Sequence, residues 1–369
     1  MLNQVLSIPS LLEQDFWDIE ANTRLSVPTP EIFSTKQVVL FGSGDSYNAA
    51  VGAVDAFRQL CNLNATALTS LEASRYYAQI SKTEPKKNIL AIGISSSGEA
   101  ARTVEAMLAF AKNGYNSLAV SSAPESRMAS AARNVLCVKK SPFPPSPGVR
   151  SYISTQAALF ALAIRFGEVK GLYTMDQAHE MRRELSGLSS VIERAFDQLN
   201  SELNRFADNC SLHKKVELLS AGPCKASADF GMAKMIEAYG FSASSQDVEE
   251  FAHLNFFRTN PEQIPTILIA PANAHAISRS LEVAQAVKAL NRPHIVLTDG
   301  EDLFSRQGNN TACIEASLRE MFSPLVYSSL VAYILANVDG GPGCEYFRGH
   351  KGAWSESGFP DVRNSKIEY

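Results

Sequence analysis

The chain has 369 residues, 45% hydrophobic and 20% charged, which suits a globular protein with two domains. Its formal net charge of −4 argues against nucleic acid as the main partner, since a phosphate-backbone binder needs a basic face, but leaves room for a small anion held by local amides. Six cysteines (Cys61, Cys137, Cys210, Cys224, Cys313 and Cys344) show no zinc, redox or disulfide spacing, as expected of buried thiols in a reducing compartment.

Residues 1–35 open with MLNQVLSIPSLLEQDFWDIE, which carries acids and no basic n-region. That stretch predicts an N-terminal helical segment and not a signal peptide, so a cytoplasmic protein is expected. Residues 36–173 form the first expected domain. Its β-branched runs Gln37–Phe41, Asn88–Ile94 and Ser117–Val120 are each followed by Gly or Ser and then a helical pattern such as Ala100–Lys112. Strands alternating with helices predict parallel βαβ units. Ser141–Gly148 is a Pro-rich loop within this domain. Residues 174–209, rich in Glu, Arg, Leu and Ala, predict one or two linking helices.

Residues 210–339 repeat the order with Val216–Leu219, Thr266–Ala270 and His294–Leu297. The apolar stretch Pro324–Val338 is too short to cross a bilayer and predicts a core helix. Residues 340–369, rich in Gly, aromatic and charged residues, predict a tail laid over the body. Comparing Val38, Ile89 and Leu118 with Val216, Thr266 and Ile295 gives intervals of 51 and 29 residues in the first half and 50 and 29 in the second. Two doubly wound parallel-sheet α/β domains in tandem explain that match.

Ile94–Glu99 (ISSSGE) lies between a predicted strand and a predicted helix. Ser95, Ser96, Ser97 and Gly98 then occupy a turn where helix N-terminal amides and hydroxyls can hold an anion without Lys or Arg. Gly42–Asn48 (GSGDSYN) is a second such turn at the carboxyl edge of the sheet. The candidate anion-binding set is Gly44, Ser46, Ser95, Ser96, Ser97 and Thr103. A serine turn alone is better explained by helix capping; two together favour a ligand. The second half has Pro271–His275 (PANAH) at the matching place, so one phosphate site per chain is expected, in the first half.

These turns resemble the G-T-S-Y and S-Q-S-G-E-T turns of sugar isomerase (SIS) domains, and the layout after about residue 35 resembles the isomerase part of glucosamine-6-phosphate synthase. In KMIEAYGFSASSQDVEEFAHLN, Lys234 and Glu237 match the family's K-x-x-E, and Glu250 and His253 match its later E and H. In Pro360–Lys366, Arg363, Asn364 and Lys366 correspond to the R, N and K of the synthase tail. The resemblance implies a flavodoxin-like SIS fold. It implies Glu237 as the base moving a proton between C1 and C2, and His253 opening the sugar ring from the partner subunit. It further implies Lys366 at the sugar carbonyl and Lys234 stabilising developing negative charge. Without the resemblance, Lys234–Glu237 reads more readily as a surface helix pair worth tenths of a kcal/mol.

Ala100, Ser96 and Asp45 depart from the synthase pattern, which leaves open both the sugar and whether the anion is phosphate or another tetrahedral group. Met1 is followed by Leu2 rather than by an N-terminal Cys nucleophile, so glutamine-dependent synthesis is not expected. The expected function is a homodimeric enzyme acting on a phosphorylated aminosugar, an aminosugar-phosphate deaminase or fructosamine-phosphate deglycase. Ketose/aldose isomerisation stands beside it, and a sugar-phosphate sensor is the alternative of another class. No metal cluster or nucleotide fingerprint appears, so neither metal nor cofactor is implied, and neither a membrane nor nucleic acid is an expected partner.

Overall fold

The computed structural model describes residues 1–80, 85–342, 344 and 362–369. They form two compact units, each with its own sheet. The first-sheet unit holds Ser10–Pro142, Ser151–Gly187 and the described C-terminal residues 362–369. The second-sheet unit holds Met1–Pro9, Phe143–Arg150 and the described residues from Leu188 to 344.

In the first-sheet unit, helix α1 (Phe16–Ser26) precedes β1 (Gln37–Gly42), α2 (Asp45–Cys61), β2 (Asn64–Thr69), β3 (Ile89–Ile94), α3 (Ala101–Lys112), β4 (Asn116–Ser121) and β5 (Asn134–Cys137). Helix α4 (Val149–Val169) follows. The sheet order is β2-β1-β3-β4-β5, every pair parallel, with Val39 between Thr66 and Ala91. All six residues of β1 and of β3 are buried, because a doubly wound sheet is covered on both faces and selects continuous apolar runs over alternating ones. Val39, Phe41 and Ala91 join Met107 and Phe110 of α3 in one core cluster, where the Phe41 and Phe110 rings stack at 5.3 Å.

Helices α5 (Met175–Gln198) and α6 (Asn200–His213) occupy the expected linking region. Helix α5 starts with a reciprocal cap: the Thr174 amide donates to the Gln177 side chain at 2.9 Å, and the Gln177 amide donates to the Thr174 hydroxyl at 3.2 Å. The second-sheet unit then runs β6 (Lys215–Ser220), α7 (Lys225–Tyr239), β7 (Ser242–Asp247), α8 (Val248–His253), β8 (Thr266–Ile269), α9 (Ile277–Ala289), β9 (His294–Thr298), β10 (Thr311–Cys313) and α10 (Pro324–Ala336). Its order, β7-β6-β8-β9-β10, is the first sheet's order again. Strand starts at Gln37, Ile89 and Asn116 against Lys215, Thr266 and His294 keep the two interval sets within one residue of each other.

The sequence marks three strands per half; the structure has five. The extra strands flank the buried ones. Most are polar or short: β7 reads SASSQD, and β10 spans three residues. Helix α10 is buried on every side from Pro324 to Leu335, as an apolar-all-round core helix must be. It packs on α7, which also contacts β6 and β7. Gly231 permits that approach, since a Cβ there would lie 2.5 Å from both Leu218 Cδ2 and Val331 Cγ1. Among the described residues, no helix is long and apolar enough to cross a membrane. The predicted tail falls partly on 345–361, outside the described residues; residues 362–369 lie on the first-sheet unit.

Candidate functional site

The turn after β3 is built from its own hydroxyls. Ser95 is buried, and its hydroxyl accepts the Gly98 amide at 3.1 Å. The Ser97 hydroxyl accepts the Glu99 amide at 3.3 Å. Gly98 has φ of +66°, and a Cβ there would meet Ser126 Oγ at 1.9 Å, so the turn closes this tightly only with glycine. Its carbonyl accepts the Met128 amide at 3.0 Å. The Ser96 and Ser97 amides donate to no described residue, which leaves two adjacent N–H groups for an anion. Gly44 and Ser46 lie at the start of α2, on the turn after β1.

Thr103 stands apart from this group. Its hydroxyl is buried and shares a 2.9 Å hydrogen bond with Ser70 Oγ, so it braces the flank of α3. Lys140 belongs to no sequence motif yet lies beside this turn. Its Nζ donates to Ser122 Oγ at 2.8 Å, and Ser122 Oγ lies 3.5 Å from Ser96 Oγ. The serine turn therefore has a cation nearby, which the motif itself does not require. A lysine beside a Pro-rich loop carries no periodic signal, so only the fold reveals this contact.

The C-terminal turn seats on the same part of this unit. The Ala101 amide at the start of α3 donates to the Val362 carbonyl at 2.8 Å. Arg102 donates to the Lys366 carbonyl, and Arg127 donates to the Arg363 carbonyl at 2.8 Å. Lys366 itself is 82% exposed, with its ammonium 2.8 Å from Glu368. The backbone bearing Lys366 is thus fixed close to the residues that follow the serine turn.

In the second-sheet unit, Lys234 and Glu237 form an ion pair on one face of α7. The Lys234 side chain is 1% exposed, and its ammonium lies 5.5 Å from the Phe230 ring centre. Glu237 is 26% exposed. This is not a solvated surface pair: a buried ammonium must keep its counter-charge, while the carboxylate stays open to a ligand. His253 ends α8, largely exposed, with Nε2 3.0 Å from Glu249 Oε1. The hydrogen bond with His253, and then Arg279, hold the Glu249 carboxyl below its ordinary value.

The turn after β8 is chemically different. There Asp299, just past β9, accepts the Ala272 amide at 2.7 Å and the Leu318 amide at 3.1 Å. Glu320 accepts the His275 amide at 3.3 Å. Carboxylates of the protein thus accept amides of this turn, Ala272 standing where the first turn has Ser97. Among the described residues, no group of three or more His, Cys, Asp or Glu side chains is arranged to hold a metal.

Residues 31–165 match the SIS domain family. The glutamine–fructose-6-phosphate aminotransferase [isomerizing] of Zymomonas mobilis is 23% identical over 346 residues, 92% of this chain and 55% of that protein. The chain spans about half the length of the curated relatives it matches. The C-terminal domain of glucosamine-fructose-6-phosphate aminotransferase from Francisella tularensis superposes with a TM-score of 0.77 at 17% identity, covering 89% of this chain and 94% of that one. Glucosamine-6-phosphate deaminase from Thermotoga maritima gives 0.64 at 16% identity, covering 93% and 98%.

Proposed function

We propose that this chain, a tandem-SIS protein with its matched SIS domain at residues 31–165, is an enzyme acting on a phosphorylated aminosugar, with an amine as one product. Glu237 takes the proton from C2 and returns it at C1. The enolamine formed between these steps leaves an imine at C2, which water hydrolyses to the ketose carbonyl with release of ammonia or an amine. Lys234 faces the oxygen on which negative charge develops. The serine turn holds the phosphate, Lys366 engages the carbonyl end, and His253 opens the ring in the site of a second copy. The reading thus includes a homodimer, in the cytoplasm.

The observation that carries this reading is the burial of Lys234 against a partly open Glu237. A sensor needs only the anion turn and gains nothing from a buried lysine beside an accessible carboxylate. The deaminase-like fold of the Thermotoga maritima structure agrees with it. Ketose/aldose isomerisation uses the same base and is separated by the product alone. The test is a panel of phosphorylated sugars, aminosugars and fructosamines, scored for ammonia or amine release and for isomer formation. Glu237→Gln should lower kcat about 10³-fold, the scale of general acid–base catalysis, with sugar-phosphate Kd nearly unchanged. Undiminished turnover in that variant would remove Glu237 from the reaction.

A further inference from the structure

Arg127 starts the short helix Arg127–Ala131 and makes contacts in two directions. Its backbone amide donates to Glu99 Oε1 at 3.0 Å, its Nε to Glu99 Oε2 at 2.6 Å, and its Nη2 to the Glu99 carbonyl at 2.7 Å. The same Nη2 reaches the Arg363 carbonyl at 2.8 Å. Glu99 is the residue directly after the serine turn, and Arg363 lies three positions before Lys366. One guanidinium therefore joins the end of the anion turn to the C-terminal turn.

Other contacts hold the tail to the same unit. Ile367 packs on the cluster around Phe41 and Phe110, and the Glu368 amide donates to the buried Glu105 carboxylate at 2.7 Å. Those anchors fix where the tail lies. The Arg127 contacts instead fix the tail's register against the serine turn. Arg127 and Glu99 are 43% and 34% exposed, so their pairing adds little to stability. Its geometry is the informative part: a planar fork satisfying a carboxylate and two carbonyls is a task that a lysine point charge cannot reproduce.

We propose that Arg127 is a positioning residue for the reaction, clasping the C-terminal turn to Glu99 so that Lys366 is aligned with a sugar whose phosphate sits in the serine turn. This rests on the function proposed above. Arg127 touches neither the substrate nor the reacting atoms; it acts through Lys366. Small misalignments of a reacting group cost large rate factors, so loosening the clasp should lower kcat while phosphate binding, made by the serine turn and not by Arg127, changes little.

The experiment is a double-mutant cycle on the full chain with Arg127→Gln and Lys366→Met, read as kcat, KM and hydrogen exchange at the Ala101 amide. Expected are a roughly tenfold lower kcat for Arg127→Gln with KM within about twofold, faster exchange at Ala101, and no further loss of kcat when Arg127→Gln is added to Lys366→Met. Equal losses in both backgrounds, or unchanged kcat, overturn the proposal. Arg127→Lys serves as a second variant should Arg127→Gln melt early, and the same pattern is expected of it. A wild-type protein that binds and turns over no phosphosugar defeats the proposed function itself; an active wild type with additive losses defeats only the clasp.

Discussion

Lys140 places a positive charge two hydroxyls from the open amides of the serine turn, through Ser122 to Ser96. Ser97 contributes a neutral hydroxyl to the same turn. The two should therefore fail differently. Ser97→Ala removes about 1 kcal/mol of hydrogen bonding, so KM should rise several-fold with kcat little changed. Lys140→Met should raise KM about tenfold and flatten its dependence on ionic strength, since a lost charge removes a screened, longer-range attraction. Steady-state kinetics at two salt concentrations separate them, and identical salt slopes in wild type and Lys140→Met would exclude a role for the lysine. The serines were legible in the sequence because a serine run between a strand and a helix is a local pattern. Lys140 was not, because its relation to Ser122 is made by β4 and β5 lying side by side.

At the scale of elements, α3 joins the core to the candidate site. Its Glu105 carboxylate is buried and accepts from Arg75 at 3.0 Å, from Arg102, and from the Glu368 amide at 2.7 Å. Burial pushes this carboxyl up, but the Arg75 and Glu368 hydrogen bonds outweigh it and leave the group below its ordinary value of 4.5. A carboxyl depressed in the fold contributes stability that is present above the ordinary value and is lost as pH falls through the folded one. Glu105→Gln should therefore cost about 2 kcal/mol at neutral pH, the scale of charged hydrogen bonds, and the gap to wild type should close as acid protonates the native carboxyl. Denaturant melts at pH 7 and below pH 4 test this; a gap that stays constant would contradict it. The same logic separates what could be read in advance. Strands β1, β3, β6 and β8 have every residue buried or nearly so, and appear as apolar runs. Polar β7 has no such run, being defined by its pairing with β6 rather than by its composition. Nor does any local pattern announce that Gly231 seats α7 against Leu218 and Val331, which helps set where Lys234 and Glu237 emerge.

At the scale of the whole molecule, the duplication was legible from spacing alone because both halves keep one strand order. The candidate residues were only partly legible: the structure groups the serine turn with the C-terminal turn in the first-sheet unit, and pairs Lys234 with Glu237 in the second-sheet unit. The exposed His253, followed by exposed Leu254, Phe256 and Phe257, suits a surface that a second copy covers. Light scattering should give twice the 40.1 kDa chain mass, and a monomer retaining full activity would rule out a shared site. The carboxylates of Asp299 and Glu320 on the turn after β8 carry a different lesson. A counter-charge attached to the chain cannot be diluted away, so that turn is complete at every concentration of metabolite. Under the proposed function, its counterpart after β3 would be completed only by a bound phosphosugar. Two sheets of one strand order would then differ in kind, one turn closed by the chain's own carboxylates and the other gaining stability with ligand supply.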